Sequence, residues 1–127
     1  MKALLDTHAF LWAIAGDRRM SARARDLFVG PSDLYISIAS VWEILIKSQI
    51  GKLPLPRPVG PYILKKIADN RIETLPISLD DLLKFETLDL HHRDPFDRML
   101  IAQSLEEDLP LVTADPIFEK YPIRRIW

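Results

Sequence analysis

An α/β domain with a short parallel sheet covered by helices on both faces is the fold this sequence predicts. Three observations predict it. Short apolar runs bounded by turn residues alternate with stretches of helical spacing along the whole chain. The length of 127 residues suits one domain with a sizeable core and is too short for two. No internal repeat, heptad or low-complexity segment competes with that reading.

Residues 2–5 are an apolar run ending at Asp6-Thr7, after which Ala9, Phe10, Trp12 and Ala13 fall at helical spacing. A strand running into a helix is expected, with Asp6 at the strand's carboxyl end and either Asp6 or Thr7 as the cap. Gly16-Asp17 breaks that helix. Residues 21–29 read as a second short helix, with Arg18, Arg19, Arg23 and Arg25 making the region basic, and Gly30-Pro31 ends it. Residues 34–36 are a strand.

Residues 37–50 carry the longest helical pattern. Ile38, Val41, Trp42 and Leu45 form one apolar stripe, and Ala39, Ile46 and Ile50 form a second beside it, with Glu43 among the second set. Gly51 ends the helix, and Pro54, Pro56, Pro58 and Pro61 make an extended connector, not a domain boundary. Pro61 can open a helix over 62–70. A strand near 72–77 and a helix started by Ser78, with Asp80 and Asp81 in its first turn, come next.

Asp94-Pro95 reads as another helix start, because an Asp oxygen accepts from first-turn amides and Pro at the first position loses no hydrogen bond. That helix runs to about Glu107. Residues 109–113 are a buried-type strand closed by Asp115-Pro116, and residues 123–127 supply a last edge strand.

Composition excludes several classes of function. Almost half the residues are apolar and about a quarter charged, an ordinary globular balance. Absence of cysteine removes disulfides, thiolate zinc sites and a cysteine nucleophile. No apolar run approaches the ~18 residues of a membrane span, and the opening residues have no signal-peptide hydrophobic region. A soluble cytoplasmic protein is the expectation. Seventeen basic against 18 acidic residues give a formal charge of −1, which argues neither for nor against a nucleic-acid partner.

Function in open parallel sheets gathers at the carboxyl ends of the strands. Asp6 and Asp115 fall there by sequence alone. Asp97 lies three and four residues before Leu100 and Ile101, so it shares a helical face with residues that point inward. Glu43 also has apolar neighbours on its face. Four carboxylates converging would repel one another unless cations sat between them. Oxygen-only ligation is the preference of Mg²⁺ and Mn²⁺, and such sites activate water for phosphoryl chemistry. Each acid also has a plain structural job. Asp6, Asp94 and Asp115 precede helix starts where Asp commonly caps. Glu43 has Lys47 at i+4, a surface pair worth a few tenths of a kcal/mol. Taken singly the two readings stay open; the joint pattern is more informative than any member.

Leu4-Leu5-Asp6-Thr7-His8, Ser40-Val41-Trp42-Glu43-Ile44, the run from Asp94 to Ala102, and Leu111-Val112-Thr113-Ala114-Asp115 together resemble the PIN-domain nucleases, in particular the VapC-type toxins of toxin–antitoxin pairs. The resemblance covers essentially the whole chain, residues 1–127, as one domain. It implies a PIN-like three-layer sandwich and a Mg²⁺-dependent endoribonuclease, with Mn²⁺ as the other cation of that class. It places the metal-holding catalytic acids at Asp6, Glu43, Asp97 and Asp115, and leaves Asp94 as an extra acid. It further implies an RNA substrate, a homodimer and a cognate antitoxin that lays a segment across the site.

Around those acids, Thr7 and Thr113 are expected to orient water or phosphate oxygens, or else to satisfy strand-end amides. Arg98 is expected to face solvent, and His91 and His92 to be hydrogen-bonded loop residues. RNA is expected along Lys47, Lys52 and Arg93, and Trp12 and Trp42 in the core. Two rival readings are a non-catalytic PIN-like interaction module, which would be expected to lose an acid, and a receiver-like phosphoacceptor domain. The receiver needs an acid after its middle strand, and residues 51–60 have none. A haloacid-dehalogenase-type phosphatase needs an acid two residues after Asp6, where His8 stands.

Overall fold

The computed structural model describes all residues from Met1 to Trp127. Five strands, β1 (Lys2–Leu5), β2 (Asp33–Ser37), β3 (Glu73–Leu75), β4 (Leu111–Val112) and β5 (Arg125–Ile126), form one sheet in the order β3-β2-β1-β4-β5. Every pairing is parallel, with Leu5 opposite Ile36 on one side and Val112 on the other. The helices are α1 (Thr7–Ala15), α2 (Ala22–Val29), α3 (Ile38–Gln49), α4 (Val59–Asp69), α5 (Leu79–Glu86) and α6 (Pro95–Glu106), with a 3-10 turn over Pro116–Lys120.

Side chains alternate across β1, and the core divides accordingly. Ala3 and Leu5 point to one face, where they join Phe10, Ala24, Ile44, Ile63 and Ile67 from the first four helices. Leu4 points to the other, where it meets Leu100 and Ile101 of α6 and Phe118 of the 3-10 turn. Three layers result, as the sequence predicts.

Strand order also positions the site. The chain steps outward from β1 through β2 to β3, then returns to lay β4 on β1's other side. That reversal is the switch point beyond which parallel sheets open a crevice at their carboxyl ends. The same order excludes the receiver-like reading, whose sheet runs 2-1-3-4-5.

Caps define most helix starts. Asp6, Ser21, Ser37, Ser78 and Asp94 each accept from a first-turn amide of the helix that follows, and Ser78 with Asp81 makes a full capping box. The helix expected to open at Pro61 starts earlier, at Val59. Pro61 sits in its first turn, where a missing N–H leaves no intrahelical bond unmade. No helix is long and apolar enough to cross a membrane.

The apolar stripe predicted for α3 is not its buried face. Ile38, Trp42 and Ile50 are exposed, Trp42 at 59%, while Ala39, Ser40, Glu43, Ile44 and Ser48 are buried. Small side chains at 39 and 40 let this face of α3 approach its neighbours closely, and the polar atoms on it find partners of their own. Trp42 instead packs edge-on against Phe96 at 5.3 Å between ring centroids, so it is not a core residue.

Candidate active site

Four elements carry the four acids to the carboxyl edge of the sheet. Asp6 follows β1 and caps α1, Glu43 lies in the second turn of α3, Asp97 in the first turn of α6, and Asp115 follows β4 and caps the 3-10 turn. Asp6 and Glu43 are 5% and 2% exposed, so both are nearly withdrawn from water. Asp115 is at the exposed rim. Asp6 and Asp115 line one cleft of about 370 Å³ together with His8, Trp12 and Arg19.

Glu43 is held at both oxygens. Thr7 Oγ1 donates to Oε1 at 2.6 Å and lies 2.9 Å from the Ser40 hydroxyl, while Lys47 Nζ meets Oε2 at 2.5 Å. The Glu43–Lys47 pair therefore exists, but it is not the surface pair expected from i+4 spacing, because its acid is buried. A buried carboxylate without such partners would be costly. Glu43, Asp94 and Asp97 all favour the Lys47 ammonium, which raises its pKa and marks it as a cation set among acids.

Asp6 Oδ1 accepts from the Ala9 amide at 2.6 Å. Burial pushes the Asp6 carboxyl up, against the lowering effects of Thr113, Ala9 and His8. Asp97 is pushed further, from the ordinary 3.8 to about 7. Burial is the largest cause, and the negative charges of Asp94, Glu43, Asp6 and Asp115 follow in that order. All the acids singled out in the sequence thus act on this one carboxylate.

Asp94 carries out its predicted cap, accepting from the amides of Phe96 at 2.8 Å and Asp97 at 3.2 Å. Its charge nevertheless reaches Asp97. Arg98 does not face solvent freely. Its Nη2 donates to the Leu88 carbonyl at 3.1 Å and its guanidinium lies 4.7 Å from the centre of the Phe85 ring, which turns it away from any substrate.

The donor set suits a hard divalent cation, being carboxylate oxygen throughout, and the uncompensated repulsion on Asp97 is what such a cation would relieve. No three His, Asp or Glu side chains stand close enough to grip one ion as they lie. Glu43 is engaged at both oxygens, whereas Asp97 is engaged at Oδ2, 2.9 Å from His92 Nε2, and Asp115 at Oδ1, which accepts from the Ile117 amide.

Sequence reasoning missed Ser40, Arg19 and Tyr121. Ser40 stands one turn before Glu43, a signal legible in principle. Arg19 was counted only as part of a basic face. Nothing in the sequence links Tyr121 to a loop 30 residues earlier.

Comparison with known proteins places the fold. Ribonuclease VapC16 of Mycobacterium tuberculosis (strain ATCC 25618 / H37Rv) is 39% identical over 49 residues, which is 39% of this chain and 33% of that protein. The match thus spans about a third of the length of that curated relative. The structure of VapBC2 from Rickettsia felis bound to a DNA fragment from their promoter superposes with a TM-score of 0.71 at 15% identity, covering 99% of this chain and 98% of that one. FitAcB from Neisseria gonorrhoeae superposes at 0.68 and 15% identity, over 100% and 97% of the two chains. DNA-bound VapBC from Salmonella typhimurium does so at 0.68 and 17%, over 99% and 97%. At these identities the likeness is one of fold. The family model described as PIN domain matches residues 3–123. With that match running from within β1 to the residues just before β5, the chain belongs to the PIN domain family.

Proposed function

We propose that this protein is a metal-dependent endoribonuclease and the toxin of a toxin–antitoxin pair. The observation that carries the reading is the setting of Asp97, largely buried and beside four other acids: burial first, then the charges of Asp94, Glu43, Asp6 and Asp115, raise its carboxyl to about 7. A protein tolerates such repulsion where function requires it, and a phosphodiester hydrolase that recruits divalent cations requires it. The ribonuclease relative and a toxin–antitoxin complex from Klebsiella pneumoniae with the same fold support the same reading.

In this mechanism Asp6 and Asp97 would hold Mg²⁺ or Mn²⁺, with Glu43 and Asp115 in support. The cation, when bound, supplies activation of water and neutralisation of charge at the scissile phosphate. The chain's own groups arrange the rest. Thr7, Ser40 and Lys47 fix Glu43 so that its buried charge cannot swing away. The Ala9 amide fixes Asp6. Hydrolysis adds a water oxygen to phosphorus and breaks one P–O ester bond, and no covalent nucleophile from the protein is needed.

Action on RNA fits a cytoplasmic protein. The exposed apolar residues Ile38 and Trp42 on α3 suit a second copy of the chain in a homodimer, and the acidic cleft suits a basic segment of an antitoxin. The non-catalytic alternative draws on one observation, that no three acids yet converge on a point. One experiment decides between them. Purified protein should cleave single-stranded RNA with Mg²⁺, lose cleavage with EDTA, and lose it on Asp6→Asn. A folded protein that leaves RNA intact with Mg²⁺ favours the non-catalytic module, and cleavage that ignores EDTA and survives that substitution overturns the metal-dependent mechanism.

A further inference from the structure

The cleft that contains Asp6 and Asp115 has a second wall that the chemistry above does not use. It is built from Trp12, Arg19 and His8. Arg19 is 66% exposed along its side chain, yet it is immobilised. Asp17 Oδ1 accepts from the Arg19 amide at 2.9 Å and from Nε at 3.1 Å, and Asp17 Oδ2 accepts from Nη2 at 2.8 Å. One face of the guanidinium lies over the Trp12 ring, 4.6 Å from its centroid. Trp12 is pinned in turn by Trp127, edge-on at 5.8 Å, and lies 6.0 Å from the His8 ring. An exposed arginine normally keeps most of its rotamer freedom. Here its edge goes to Asp17 and one face to Trp12, which leaves the opposite face and Nη1 as a fixed plate at the lip of the cleft.

We propose that this plate is a stacking subsite for the base of a nucleotide flanking the scissile phosphate of a single-stranded RNA. The inference rests on the ribonuclease reading of Asp6 and Asp97. Unpaired RNA bases are recognised by stacking on aromatic rings and on arginine planes, and every base offers a π-face. Because Asp17 offsets the charge of Arg19, the plate offers flatness more than net charge. A base suits that. An acidic peptide does not, since its carboxylates have no plane to stack and would face Asp6 and Asp115 across the same cleft. The subsite adds a contact outside the Lys47, Lys52 and Arg93 path, because Lys47 is bonded to Glu43 whereas Arg19 lines the cleft together with Asp6 and Asp115.

The test compares wild type with Arg19→Gln, Arg19→Lys and Asp17→Asn in the full chain, using a labelled single-stranded RNA of about ten nucleotides. Melting temperature is measured alongside to confirm folding. Arg19→Gln should raise KM about tenfold, equal to about 1.4 kcal/mol, with kcat within about twofold. Arg19→Lys should do the same, because an ammonium keeps the charge and loses the plane. Asp17→Asn should fall between, and the salt dependence of RNA binding should be the same for Arg19→Lys as for wild type. A wild-type KM in Arg19→Lys overturns the subsite in favour of simple charge attraction. An unchanged KM in Arg19→Gln, with wild type still cleaving, overturns the subsite alone. A wild type that neither cleaves nor binds the RNA overturns the ribonuclease reading with it. An oligoglutamate peptide that binds wild type but not Arg19→Gln, while RNA kinetics stay the same, assigns the plate to a protein partner and overturns the proposal.

Discussion

His92 Nε2 lies 2.9 Å from Asp97 Oδ2, and the backbone decides which ring nitrogen carries the hydrogen. The Asp94 amide donates to His92 Nδ1 at 3.3 Å, so Nδ1 is the acceptor and the hydrogen stands on Nε2, facing the carboxylate. The loop that holds His92 is itself anchored. Tyr121 Oη accepts from the amides of His91 and His92 at 3.1 and 2.9 Å and donates to the Asp89 carbonyl at 2.9 Å. A tyrosine near the end of the chain thereby sets the position of a histidine that borders the most perturbed acid in the molecule.

Replacing His92 should therefore loosen Asp97 without unfolding α6, whose cap is Asp94. In His92→Ala the Mg²⁺ concentration giving half-maximal RNA cleavage should rise by roughly tenfold to a hundredfold, the usual effect of removing a group that orients a ligand. Tyr121→Phe should shift it in the same direction by less. An unchanged Mg²⁺ requirement in both variants would show that the pair serves only the loop.

Asp97 should govern how stability depends on pH when no divalent cation is present. Its carboxyl is raised from 3.8 to about 7. The folded state therefore favours the protonated form, and the stability this contributes is complete below about pH 4 and lost as pH rises through about 7. Asp97→Asn should abolish cleavage while raising the melting temperature in EDTA at pH 7.5 by several degrees. Mg²⁺ should stabilise wild type at that pH and do little for the variant. A lower melting temperature for Asp97→Asn in EDTA would contradict the electrostatic account.

The two roles of Asp94 can be separated by two substitutions. Asp94→Ala removes the cap of α6 and should cost about 1 kcal/mol of stability, with cleavage largely kept. Asp94→Asn keeps an oxygen for the Phe96 and Asp97 amides but removes the charge that raises Asp97. Its melting temperature should stay close to wild type, and the acid limb of the cleavage-rate profile should move to lower pH. A profile that does not move would mean that Asp94 acts on the helix alone.

These residues also show how far the sequence reaches. Strand–helix alternation made the three layers legible, and the Asp and Ser caps were readable because capping is local chemistry. The four acids could be singled out because two of them fall at strand ends and two on inward helical faces. The face of α3 was misread for a physical reason. Its buried side carries Ala39, Ser40, Glu43 and Ser48, while Ile38 and Trp42 look outward, so a search for apolar periodicity selects the wrong stripe. Asp81 is placed by the sequence only in α5's first turn. It is fully buried, bonded to the Ser78 amide and to Gln103, which only the packing of α5 on α6 could reveal. The Tyr121 anchor spans 30 residues and has no local signature.

Lys47 provides the last prediction, because its ammonium is bonded directly to a buried acid of the cluster. It neutralises Glu43 directly, and Asp94 and Asp97 also favour its charge. Lys47→Met would leave Glu43 buried beside Asp97 with only the Thr7 hydroxyl as partner. The variant should melt lower than wild type in EDTA, since a buried carboxylate that loses its cation is destabilising. A divalent cation then has more repulsion to relieve, so the Mg²⁺-induced rise in melting temperature at pH 7.5 should be roughly twice that of wild type. Differential scanning fluorimetry across a Mg²⁺ series measures both quantities. A variant that melts lower yet gains no extra stabilisation from Mg²⁺ would separate Lys47 and Glu43 from the cation's site and leave Asp6, Asp97 and Asp115 to hold it.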